Sequence, residues 1–235
     1  FYNEYTVPVE IKAGPNMLTI QYVSNDFYLA SSFNWQLQVY HDIRIETGEF
    51  EGILNSSASI SGVVYDKANR TVDDLEIRMF FDGYSLPVDT ITDSQGIFTF
   101  TLDMPFGTEL GYHQLNFIFA GNNYYISNST TSTIFVMGET IITIEVPSSL
   151  EYSQNYVGSI RMTMLDGTPV SNESLLVTLE PESVTFMVVT DVNGNVTFES
   201  TFMGNSTTPV EVEVKYEGGG HYLGSEVATT IIYRA

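Results

Sequence analysis

The chain has 235 residues and a formal net charge of −21, from 29 acidic against 8 basic side chains. Phosphate recognition requires clustered Lys and Arg, so the balance argues against nucleic acid as a partner and against adsorption to anionic lipid. There is no cysteine, hence neither a disulfide framework nor a thiolate metal site.

Residues 1–41 carry only the second half of a repeated pattern. Leu18, Ile20 and Tyr22 alternate as one face of a strand, a turn follows, and Tyr28 closes the stretch YVSNDFY at 22–28. Leu37 and Val39 mark a last strand ending near Tyr40, with Trp35 expected just before that strand. The same plan returns as FAGNNYY at 119–125 and YEGGGHY at 216–222, at a constant offset of 97 (119 − 22 and 216 − 119). Each closing tyrosine (Tyr28, Tyr125, Tyr222) is expected to re-enter the core. A half repeat cannot bury its own apolar face. The chain is therefore expected to be a piece of a longer precursor, or else to be completed by another chain through strand addition.

The second repeat begins near Asp42. Ile43 and Ile45 alternate through a first strand, ISGVVYD (60–66) gives a second, and Leu75, Ile77, Met79 and Phe81 a third. Asp82-Gly83 closes that strand with a turn. TDSQGIFTF (92–100) follows, with Asp93 and Gly96 at the first and fourth positions of a tight reversal. The third repeat, from about Glu139, reuses Ile142 and Ile144, then IRMTMLDG (160–167), then Leu175, Val177 and Leu179. Its hairpin TDVNGNVTF (190–198) places Asp191 and Gly194 in the same turn positions.

Aromatic content of 13%, with 15 Tyr and 15 Phe among abundant Val, Ile and Thr, favours strands, and no window shows helical periodicity over more than two turns. The fold class is all-β, and 97 residues suit one sandwich. The expected domains are the C-terminal half of a repeat at 1–41 and complete domains at 42–138 and 139–235. The linkers are very short, so the domains are expected to form a semi-rigid rod.

The TDxxGxxxF hairpin, followed by Gly-x-x-x-Leu-x-Phe-x-Phe-x-Gly-x-x-x-Tyr, resembles the tandem Ig-like repeats of bacterial and archaeal surface proteins. Such repeats occur in adhesin stalks, S-layer proteins and surface filaments. The resemblance covers both complete repeats and the partial one. It implies tandem Ig-like sandwiches, a cell-surface location and partners that are copies of the chain or other surface proteins. The third repeat departs from the pattern at Thr208, where Gly111 stands in the second, and in the three glycines of its last loop.

Candidate chemistry is sparse. Six N-x-S/T sequons, at Asn55, Asn69, Asn128, Asn172, Asn195 and Asn205, sit in expected turns or strand ends and are candidate glycosylation sites on an archaeal or eukaryotic secretory route. Turns attract Asn, Ser and Thr without any glycan. Asp191, Asn193 and Asn195 alternate like part of a calcium loop, yet no bidentate Glu follows and an Asp-Gly hairpin explains them without metal. No cofactor is therefore expected, calcium being the one weighed.

With Lys12, Lys67 and Lys215 as the only lysines, no shared isopeptide crosslink is expected. His41, His113 and His221 are scattered, and no nucleophile elbow or phosphate loop occurs, so catalysis is not expected. Trp35, the only tryptophan, is a candidate contact for a neighbouring domain, another chain or a sugar. No 18-residue apolar run suggests membrane insertion of this stretch. The expected function is a structural part of an extracellular stalk, S-layer or filament. The alternatives are an adhesin binding glycans or a partner surface, and an accessory region of a secreted enzyme.

Overall fold

The computed structural model describes residues 4, 6–8, 10–181, 183–202 and 208–234, and every regular element among them is a strand. β1 (Gly14–Tyr22) and β2 (Ser31–Val39) pair antiparallel as a separate two-stranded sheet, with Leu18 opposite Trp35 and Ile20 opposite Phe33. The next strands are β3 (Ile43–Thr47), β4 (Phe50–Ile53), β5 (Ser56–Asp66), β6 (Glu76–Phe81), β7 (Tyr84–Ser85), β8 (Thr90–Ile91), β9 (Ile97–Met104), β10 (Gly111–Phe119) and β11 (Asn128–Met137). One sheet runs β3-β5-β9 and the other β4-β11-β10-β6-β7, with β8 also on β6.

The third repeat has the same order. Its strands are β12 (Thr140–Glu145), β13 (Ser149–Leu150), β14 (Asn155–Met164), β15 (Ser174–Glu180), β16 (Val184–Val189), β17 (Asn195–Thr201), β18 (Val210–Tyr216) and β19 (Ser225–Tyr233). They form the sheets β12-β14-β17 and β13-β19-β18-β15-β16. In each repeat the first strand is split. Its opening part (β3, β12) joins the three-stranded sheet, and its continuation (β4, β13) crosses to the other sheet beside the last strand. β13 lies parallel to β19, with Ser149 opposite Ile232. Two facing sheets with a sheet-switching first strand make an Ig-like sandwich.

Alternation builds the cores. Leu115, Phe117 and Phe119 on β10 and Val212, Val214 and Tyr216 on β18 are all at most 4% exposed. Opposite them lie Ile60, Val64, Phe98 and Phe100 in the second repeat and Ile160, Met162 and Phe198 in the third. Burying one such side chain is worth about 1.5–3 kcal/mol, which fixes register, because a one-residue slip would expose the whole set. Two strand glycines make room for the largest rings. Gly158 lies directly across from Phe198, and a Cβ there would overlap the ring; Gly62 stands to Phe98 in the same way.

The chain divides into two compact units, one of residues 1–50, 57–102 and 112–134 and one of 51–56, 103–111 and 135–235.

Two expectations are corrected. Tyr28 does not re-enter a core, being 67% exposed, whereas Tyr125 is half-buried and Tyr222, also half-buried, packs against the core of the third repeat. Trp35 lies in the middle of β2 rather than before it. The apolar face of β1 is open: Leu18 is half-buried, while Ile20 and Tyr22 are exposed.

Candidate functional site

The loops that carry the repeated tyrosines hold the linkers. In the first unit the N–H of His41 donates to the carbonyl of Tyr124 at 2.9 Å, and the N–H of Ile126 donates back to the His41 carbonyl at 3.0 Å. His41 and Tyr125 thus form a parallel β-bridge, their rings 6.5 Å apart and edge-on. In the second unit, Gly138 N–H donates to the His221 carbonyl and Leu223 N–H to the Gly138 carbonyl, both at 2.9 Å, bridging Gly138 to Tyr222. The two bridges are related by the repeat offset of 97 (138 − 41 and 222 − 125).

A second contact repeats at the same offset. Gly14 opens β1 at φ +105°, and a Cβ there would lie 2.7 Å from the Tyr124 ring. Gly111 opens β10 at φ +111°, and a Cβ there would lie 3.2 Å from His221 Nε2. Each loop aromatic therefore closes over the glycine that starts a strand of the preceding repeat. These glycines serve both a backbone region hostile to side chains and a close approach. His221 also stacks on Phe135 at 5.6 Å, and Gln38, the equivalent of Phe135 97 residues earlier, donates from Nε2 to the Asn123 carbonyl at 2.6 Å.

The loops are shaped by their own asparagines. Asn122 Oδ1 accepts the N–H groups of Tyr124 and Tyr125, both at 2.8 Å, and Asn122 N–H donates to the Tyr125 carbonyl at 3.0 Å. Asn25 makes the same bonds to Phe27 and Tyr28, at 3.0 and 2.8 Å, with Asn25 N–H donating to the Tyr28 carbonyl at 3.0 Å. The loop of the partial repeat is thus already in docking shape. Its Phe27 and Leu29 are 87% and 90% exposed.

Charged groups flank the junction tyrosines. Burial raises the Tyr125 phenol above its ordinary range, and the Asp66 carboxylate adds to the effect. Burial also raises Tyr216, helped by the Glu173 carboxylate. Burial disfavours ionised Asp66. Even so, the Arg70 N–H at 3.0 Å, the Arg70 guanidinium at 2.8 Å and the Ala68 N–H at 2.8 Å hold its carboxyl below the usual range. Asp82 is likewise low: burial opposes its charge, while His113 Nδ1 at 2.6 Å and the Gln114 N–H at 2.9 Å favour it.

The other sequence candidates fall in separate places. Asp93 and Asp191 cap matching turns. Asp93 Oδ1 accepts the N–H groups of Gln95 and Ile97, Asp191 Oδ1 those of Asn193 and Asn195, and Gly96 and Gly194 take φ of +72° and +75°. Asn55, Asn69 and Asn172 take φ between +58° and +63°, the left-handed turn conformation that favours Asn, and all three are exposed. Asn195 is exposed at the start of β17. Asn128 departs from the expected exposure: it is half-buried and its Nδ2 donates to the Ile43 carbonyl at 2.9 Å. Asn205 lies outside the described residues.

Among the described residues no group of three or more His, Asp or Glu is placed to hold a metal ion. No helix among them is long and apolar enough to cross a membrane.

Trp35 belongs to a surface that sequence reasoning named only in outline. Leu18, Ile20, Tyr22, Phe33, Trp35 and Leu37 share one face of the β1–β2 ribbon by register. On that face Ile20, Phe33 and Trp35 are 57%, 62% and 61% exposed. On β10, the strand equivalent to β1, Leu115, Phe117 and Phe119 are covered by the β3-β5-β9 sheet.

No protein-family model matches the chain. No curated protein sequence matches it either. Among solved structures it is similar to the Escherichia coli adhesin FdeC, with 12% identity and a TM-score of 0.48 over 83% of this chain and 68% of that one. It is also similar to the titin I-band fragment I67–I69, with 10% identity and a TM-score of 0.44 over 81% and 65%. A third similarity is to a 1.5-MDa bacterial ice-binding adhesin, with 10% identity and a TM-score of 0.35 over 84% and 66%. At these identities the likeness concerns tandem Ig-like architecture alone, and the sheet order above establishes that architecture independently.

Proposed function

We propose that this chain is a structural segment of an extracellular surface assembly, a stalk, S-layer or filament, in which Ig-like repeats are joined in series by a loop-to-linker bridge. The carrying observation is that Tyr125 with His41 and Tyr222 with Gly138 make the same backbone bridge. A device repeated at every linker fits a protein whose task is to hold domains in sequence, whereas a ligand site belongs to one place in a chain. Its partners are copies of itself or other surface proteins, and the exposed asparagines of its turns are the glycosylation sites of such a protein. The strong acidic charge keeps it soluble at the surface. Labelling of the native source by antibody and electron microscopy tests the reading. Ordered surface structures carrying the label are expected, and label confined to the cell interior overturns it.

A second reading, an adhesin, is favoured by the exposed Phe33 and Trp35 on one ribbon face, since flat aromatics stack on sugar rings. A glycan array separates the two. Specific binding abolished by Trp35→Ala supports the adhesin, and no binding supports the structural segment. An accessory role beside an enzyme requires a catalytic domain encoded in the same reading frame.

A further inference from the structure

β16 forms one edge of the five-stranded sheet of the third repeat, and among the described residues no strand pairs with its outer side. Its sequence, VTFMVV, has no charge, no proline and no glycine. Every other edge strand longer than two residues in the two complete sandwiches carries a charge: Arg44 and Glu46 in β3, Glu51 in β4, Asp103 in β9, Glu145 in β12 and Glu199 in β17. The corresponding edge of the second repeat is also interrupted. There β7 and β8 have two residues each, separated by Leu86-Pro87-Val88-Asp89, and Asp89 is drawn back by Arg78 at 3.0 Å. Charges, prolines and short strands are how sheets avoid pairing edge to edge, and among the described edge strands of the two complete sandwiches β16 alone has none of them.

We propose that β16 is an assembly edge that pairs antiparallel with β16 of a second copy. The strand's own symmetry selects this occupant, and its lack of charge permits it. At −21, two copies repel wherever acidic surfaces meet, and an uncharged strand is where they can approach. The strand is also self-complementary about Met187. In a two-fold pair, residues facing each other point to the same side of the sheet, which sets Met187 against Met187, Val189 against Thr185 and Val188 against Phe186. Phe186 and Val188 lie on the core side, while Met187 and Val189, 60% and 51% exposed, continue an apolar strip from Leu176 on the outer side. In this register Asp191 meets Ser183, so no acid faces an acid within the paired stretch. The five-stranded sheet becomes one of ten. The inference rests on this edge alone and does not depend on a cell-surface role.

The test is sedimentation of the whole chain over a range of concentrations and salt. Concentration-dependent dimers are expected, strengthened by salt as it screens the acidic surfaces. Met187→Lys is expected to abolish them while leaving the thermal melt unchanged at concentrations where the parent is monomeric, since Met187 is exposed. Tyr84→Lys, on the interrupted edge, is expected to leave them intact. Because the chain has no native cysteine, Met187→Cys provides a unique reporter, and mild oxidation is expected to give a covalent dimer. A chain that stays monomeric throughout overturns the proposal. So does a dimer that survives Met187→Lys, or one in which Met187→Cys fails to crosslink.

Discussion

Gly138 and Tyr222 form a parallel bridge of two backbone hydrogen bonds, and the glycine at position 111 lies beneath the ring of the residue preceding that tyrosine. Because Gly111 sits at φ +111° with His221 Nε2 close above, Gly111→Ala both strains the backbone and presses on the loop. The expected cost is about 1–3 kcal/mol, read as a lowered melting temperature. His221→Ala in the same chain relieves the steric share and leaves the backbone share, so the double-mutant cycle is expected to show coupling.

Gly158 is the partner of Phe198 across β14 and β17. Gly158→Ala drives a methyl group into that ring, and overpacking of this kind costs about 1–3 kcal/mol. Phe198→Leu alone is destabilising through lost volume, yet combined with Gly158→Ala it is expected to recover part of the loss. Equilibrium urea unfolding of the three variants checks this. Strict additivity of the two substitutions counts against the close fit.

The parts of the fold legible in the sequence are those with periodicity. Leu115-x-Phe117-x-Phe119 and Val212-x-Val214-x-Tyr216 announce central strands, and Asp93 and Asp191 announce their turns. β4 and β13 are too short to show a period, and their crossing between sheets is a tertiary event. β16 escapes because VTFMVV lacks polar alternation, its outer side being as apolar as its inner one. The tyrosine motif is visible in the sequence as a motif, but its role is not. A linker bridge joins residues 84 apart (125 − 41), and nothing local in the sequence marks His41 or Gly138 as the other half. Tyr28 carries the same motif and is 67% exposed, so the motif alone does not say whether its tyrosine is covered.

Asp66 is 4% exposed and accepts three hydrogen bonds from Ala68 and Arg70. Its folded pKa is below the ordinary 3.8, so the unfolded chain binds the proton more readily. The stabilisation is therefore complete above the unfolded value and is lost as pH falls through the folded one. Asp66→Asn is expected to cost about 2 kcal/mol at neutral pH and to flatten the acid limb of the stability curve. Thermal melts of both proteins from neutral to acidic pH check it, and parallel acid limbs would refute the assignment.

Asp191 Oδ1 is already committed to the N–H groups of Asn193 and Asn195, at 2.8 Å each, which leaves the loop satisfied as a hairpin. Calcium addition or chelation is accordingly expected to leave the melting temperature unchanged, while Asp191→Ala costs about 1 kcal/mol through the lost turn bonds. Asp93→Ala is expected to behave alike, because Gln95 and Ile97 make the same bonds. A calcium-dependent rise in melting temperature confined to the Asp191 loop would reopen the metal reading.

Trp35 offers a direct optical probe of the uncovered ribbon face, being the only tryptophan. At 61% exposure, opposite Leu18, its emission is expected at the red end of the protein range and open to quenching by acrylamide. Trp35→Ser introduces the residue found at the equivalent position 132. Since the ring fills no core, the change is expected to stay within about 0.5 kcal/mol of the parent stability. The indole also distinguishes what covers the face. In a longer chain that supplies a front half built like the β3-β5-β9 sheet, the indole would be half-buried as Ser132 is, shifting emission toward the blue and reducing quenching. If instead the face is a sugar or partner platform, Trp35 stays red and quenchable in the longer chain and responds only when the ligand is added.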